Sequence, residues 1–252
     1  MEPSALDRRV LRNEVLLVLA LSLGASAAYS LVDFVAKLTE APLSQQTTAL
    51  NVSQAPGRPW LDLTYQLMGV AFGVVPALLC VHLLRRDHDG VPRSLGLDGR
   101  RPWFDLGWGA LLAAGIGIPG LGLYVAAKAL GLNTRIAAAN LPHVWWAIPV
   151  LILAAAENAV LEEVVMVGYL LTRLRDLGWA TPAAVAFSAV LRGSYHLYQG
   201  IGGFVGNAIM GTVFCLFFLR TRRLWPLVLA HLILDVVAYL GYTALADRVG
   251  WL

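Results

Sequence analysis

The sequence predicts an all-α fold: a polytopic integral membrane bundle of about seven transmembrane helices. Three observations carry that prediction. Hydrophobic residues make up 58% of the 252 residues and charged residues only 14%, whereas a soluble domain carries about 25% charged residues. The apolar residues fall in runs as long as the roughly 20 residues that a helix needs to cross a bilayer. The cationic residues lie in short clusters between those runs, as topology signals do.

Taken in order, the spanning segments fall at about 14–36, 61–84, 106–130, 144–172, 181–199, 202–219 and 224–242. The first follows Arg8, Arg9 and Arg12 as a signal peptide would. Its apolar run is long and lacks a small-residue cleavage site, so it reads as a mature helix. Thr181-Pro182 reads as an N-cap followed by proline at the first helical position, and Pro226 lies in the first turn of the last helix. Trp103, Trp145, Trp146 and Trp225 sit near segment ends, where aromatic belts form. No strand pattern competes. Short connectors and the absence of a low-complexity linker predict one transmembrane domain over 1–252.

Placing the N-terminus in the cytoplasm puts Arg85, Arg86, Arg93, Arg100, Arg101, Arg173, Arg175, Arg220, Arg222 and Arg223 on one side. The other side receives only Lys37, Arg58, Lys128, Arg135 and Arg248, which satisfies the positive-inside rule at every loop. The C-terminus then lies outside. Arginine carries nearly all the positive charge and alanine is abundant, a composition that suggests a bacterial cell membrane as the setting. In that setting the sequon Asn51-Val52-Ser53 stays unglycosylated.

A net charge of +3, scattered over interhelical clusters, excludes nucleic acid as a partner. Cys80 and Cys215 fall within predicted spans without ligand or disulfide spacing, and read as small buried apolar side chains.

Five ionisable residues interrupt the apolar segments: Glu162, Glu163, Arg192, His196 and His231, with Asp235 one turn beyond the last. A charge at the centre of a membrane helix costs at least ~2.5–3.5 kcal/mol, so such residues mark a functional site. Neighbouring helical positions diverge by about 100°, so Glu162 and Glu163 are expected to face different surroundings, one serving chemistry and one structure. His231 and Asp235 share a face at i,i+4, as do Arg192 and His196. The helix starts place the two histidines at different depths, so a tilt, a kink or an early helix end is needed for both to meet Glu162. Glu157 and Asn158 read as packing or pore-lining groups, and His82, His88 and His143 as interfacial ones. Gly202, Gly203, Gly206 and Gly211 read as sites of close helix approach.

The runs Glu162-Glu163-Val164-Val165-Met166-Val167-Gly168-Tyr169-Leu170, Ser194-Tyr195-His196 and His231-Leu232-Ile233-Leu234-Asp235 resemble the three motifs of the CPBP, or Abi, family of intramembrane proteases. That family includes type II CAAX prenyl endopeptidases and bacteriocin-processing relatives. The resemblance covers roughly 144–242, the motif-bearing core. It implies that Glu162 and His196 activate water, that His231 and Asp235 stabilise or orient an oxyanion, and that Glu163 is held by a motif arginine. Here Val167 stands at the arginine position and Arg192 at the position of a motif phenylalanine. Arg192 thereby becomes a candidate partner for Glu163 from a neighbouring helix, the alternative being a clamp for a substrate carboxylate.

The implied activity is endopeptidase cleavage of a membrane-associated protein or peptide, with the lipid bilayer as the other partner. No cofactor is favoured, although Glu162, His196 and His231 would also make a zinc shell. Two other classes fit the sequence: a non-catalytic scaffold or immunity factor of the same family, and a proton-coupled transporter, for which no inverted repeat is found.

Overall fold

The computed structural model describes residues 5–142, 144–245 and 248. His143, read above as interfacial, lies outside them. Helices α1 (Ala5–Ala20) and α2 (Leu23–Glu40) are followed by strand β1 (Thr47–Ala49), then by α3 (Pro59–Gly73) and α4 (Val75–Asp87). Helix α5 (Pro102–Ala129) and strand β2 (Arg135–Ala137) precede α6 (Ala147–Glu162), which passes through a π-helical segment, Glu163–Tyr169, into α7 (Leu170–Asp176). Helices α8 (Thr181–Ser194), α9 (Ile201–Thr221) and α10 (Trp225–Leu245) complete the bundle.

The all-α membrane architecture is present, with fewer independent spans than the sequence predicts. Among the described residues, four helices are long and apolar enough to cross a membrane: 59–87 taken together, α5, α9 and α10. A fifth is added if α1 and α2, bent by 52° at their break, count as one. The expected span at 181–199 stops at Ser194, leaving α8 with 14 residues, about 21 Å of helix against the ~30 Å hydrocarbon core. Its cap also differs from expectation: Ala180 is the N-cap, and Pro182 follows Thr181 inside the first turn. The run 147–176 is helical throughout but changes hydrogen-bond pattern at Glu163.

The arginines grouped on one side by the sequence do collect at one end. There Arg173, almost wholly buried, binds Glu14, Asp87 and Asp176 and donates to the Leu83 carbonyl. Arg86 joins Glu14, His88 joins Asp176, and Arg223 joins Asp98 and Asp105. These pairs tie α1, α4, α5, α7 and the α9–α10 turn together. The opposite end carries a feature the sequence did not suggest, a parallel pairing of β1 with β2 in the register Thr47↔Arg135 to Ala49↔Ala137. Lys37 clamps this sheet to the turn after α8, donating to Thr48 Oγ1 at 3.0 Å and to the Tyr198 carbonyl at 2.8 Å. Three-residue strands carry too few alternating positions to give a period-2 signal.

Between the two ends lies the buried core, which includes the whole π segment, Phe214 and Phe218 of α9, and Leu224 and Leu227 at the start of α10. Cys80 and Cys215 are fully buried in it, as small apolar side chains.

Candidate active site

Three backbone features assemble the site. The first is the π segment, whose wider turns leave carbonyls without the usual i+4 partner. Ser188 of α8 donates to one of them, the Met166 oxygen, at 2.9 Å. The second is the close approach of α8 and α9. Gly211 has no Cβ where one would lie 2.9 Å from Arg192 Cδ, so the arginine stem crosses α9 at that point. The third is the early end of α8 at Ser194, after which Tyr195 and His196 turn back towards α6.

Glu162 and Glu163 are both buried, at 2% and 0% exposure. Their backbone angles are ordinary α values, so their Cβ bonds diverge as expected. The carboxylates nevertheless do not point into separate surroundings, because the Arg192 guanidinium lies between them. Arg192 Nη2 donates to Glu163 Oε1 at 2.7 Å, and Nη1 lies 3.7 Å from Glu162 Oε2. The arginine is itself wholly buried, with its guanidinium over the Phe214 ring. The ion pair with Glu163 is thus formed from α8, while Val167 fills the motif position as a buried apolar side chain.

Around this pair the remaining sequence candidates converge. Glu162 Oε2 accepts a 2.6 Å hydrogen bond from the Tyr195 hydroxyl, and Oε1 lies 3.7 Å from His196 Nε2. His231 Nδ1 donates to Glu163 Oε1 at 2.8 Å. Its Nε2 faces Asp235 Oδ2 at 3.7 Å and Asn158 Nδ2 at 3.5 Å. Asp235 is held instead by Asn158, which donates at 2.9 Å, and more weakly by the Tyr239 hydroxyl at 3.4 Å. The depth mismatch between the histidines is absorbed twice over. Helix α8 ends before His196, and Leu224, just ahead of α10, fills the space beside Gly168 of the π segment.

Two participants were missed from sequence. Asn158, read as packing, bridges α6 to Asp235, and its i,i+4 spacing to Glu162 was a usable signal. Tyr195 lay inside a quoted motif without a role, and its contact with Glu162 depends on the end of α8, which no local pattern marks. The zinc set changes as well. The side chains among the described residues whose ligand atoms fall within 4.8 Å of one another are Glu162, Glu163 and His231, with Glu163 replacing His196. That set fits a dication poorly, since the cationic guanidinium of Arg192 already occupies the space between both carboxylates.

Residues 144–237 match the family model of the Rce1-like type II CAAX prenyl endopeptidases. This part of the chain is similar to that family. The matched segment holds Asn158, Glu162, Glu163, Arg192, Tyr195, His196, His231 and Asp235, while Tyr239 lies just beyond it. Comparison of the chain with curated proteins and with solved structures yields no match.

Proposed function

We propose that the protein is an intramembrane endopeptidase that hydrolyses a membrane-associated protein or peptide with water activated by Glu162 and His196. The observation that carries this reading is the facing of Glu162 Oε1 and His196 Nε2 across 3.7 Å. That distance is beyond a good direct hydrogen bond and suits one water held by both. Tyr195 ties up the other carboxylate oxygen, so Glu162 presents Oε1 to the water in a fixed rotamer. Water attacks the scissile carbonyl carbon as its proton passes to Glu162. The C–N bond then breaks, and that proton goes to the leaving amine.

His231 presents Nε2 on the far side of the site, oriented through Nδ1 by Glu163 and flanked by Asn158 and Asp235. Protonated on both ring nitrogens, it donates from Nε2 to the tetrahedral oxyanion. Glu163 and Arg192 support it, and no step needs a metal. The deciding experiment is cleavage profiling of membranes and of purified protein with Glu162→Gln. Loss of cleavage with a normal melting profile supports the reading, and full turnover removes Glu162 from the mechanism. A non-catalytic scaffold would show no cleavage in the unaltered protein.

A further inference from the structure

The surroundings of the site are unequal along the bundle. Towards the arginine-rich end it is closed by an apolar plug: Val165, Met166, Val167, Phe218, Leu224 and Leu227 are all fully buried. Towards the sheet end the lining is polar and open. His231, Asp235 and Tyr239 recur every fourth residue on one face of α10, opposite Asn158 of α6, and the Tyr239 hydroxyl approaches the Asn51 side chain beyond β1. The Asp235 and His196 side chains keep 19% and 15% of their surface accessible, against 0–4% for Glu162, Glu163, Arg192 and His231. Glu157, half-buried on the adjoining face of α6, is set against Gly73 of α3 and has no hydrogen bond or ion pair among the described residues.

We infer that water and substrate reach the catalytic carboxylates from the sheet end, along the polar seam between α6 and α10. The arginine-rich loops at the other end mark the cytoplasmic face. The substrate class follows: a peptide segment presented at the non-cytoplasmic surface of the membrane, rather than a lipidated C-terminus lying in the cytoplasm. What is cut rests on the peptidase reading, whereas the route does not.

The test is sided thiol labelling in a chain with Cys80→Ala and Cys215→Ala, using a charged, membrane-impermeant methanethiosulfonate on right-side-out and inverted vesicles. Gln54→Cys marks the sheet end and Gly99→Cys the arginine-rich end. Asn158→Cys and Tyr239→Cys report on the seam and check one another, each variant being confirmed as folded by its elution profile. The seam positions are expected to react at least about ten-fold faster from the Gln54 side than from the Gly99 side, since reaction needs a solvated thiolate. Gln54 itself should react only in right-side-out vesicles. Seam labelling from the Gly99 side, or from neither side, overturns the route, and Gln54 labelling only in inverted vesicles overturns the substrate class. Labelling needs no turnover, so these failures leave the peptidase reading standing, and a fully active Glu162→Gln variant would leave the route standing.

Discussion

Two buried arginines, Arg173 and Arg192, sit on opposite sides of the same apolar plug, each among carboxylates, and they are satisfied very differently. Arg173 has three carboxylates and a carbonyl within 3.3 Å, contributed by α1, α4 and its own helix. Arg192 has one close acceptor, Glu163 Oε1, while Glu162 stays at 3.7 Å and two of its nitrogens make no hydrogen bond. On Arg173 only Nε makes no hydrogen bond. A group tied to several carboxylates locks segments together, whereas one with a single close acceptor in a dry site keeps bonding capacity for something that arrives later. The first arrangement is a clamp, the second a workplace.

The sharpest way to break this contrast is Glu162→Gln, which keeps shape and removes the base. Cleavage by purified protein should fall about 10²–10⁴-fold, with thermal stability unchanged. Arg192→Ala comes next. It leaves Glu163 buried with only His231 as a partner, and denaturation should show a loss of about 3–5 kcal/mol. Adding Glu163→Gln should recover part of that loss. Arg173→Ala should cost about 1.5–3 kcal/mol, because Asp87 and Glu14 keep Arg86. Equal losses at the two arginines would erase the distinction.

Tyr195→Phe removes a single oxygen from the workplace and should lower kcat about ten-fold while leaving KM alone, since Glu162 loses its fixed rotamer. A change confined to the melting temperature would make Tyr195 merely structural. Smallest of all is the response to chelation. With Arg192 between the carboxylates, exhaustive metal removal should leave activity within about a few-fold of the control. Loss of activity that zinc alone restores would show that the guanidinium gives way to a metal.

The contrast also explains what could be read from sequence. Glu162, Glu163, Arg192, His196 and His231 stand out because ionisable groups are conspicuous in apolar runs, and the Arg192–Glu163 pair follows from the displaced motif arginine. Asn158 and Tyr195 escape because neutral polar side chains cost little in a helix, and their value appears only when another helix arrives. The helical membrane character follows from composition. The break between α1 and α2, the short α8 and the π segment do not, because each is settled by tertiary packing such as Ser188 on the Met166 carbonyl. Arg173 was read only as a topology signal, and its role as a tie among three helices was invisible.

The π segment sets the phase between clamp and workplace. Upstream of it, Asn158 and Glu162 face α10 and α8; downstream, Arg173 and Asp176 face α4. Deleting one residue between Val164 and Val167 would let the chain close into uninterrupted α-helix and rotate everything beyond by about 100°. Glu162 would keep its bearings while Arg173 swung away from Asp87. The extra residue works as a gear tooth, and the alignment of motif and clamp along one continuous helix is an angular tolerance that neither region could meet alone.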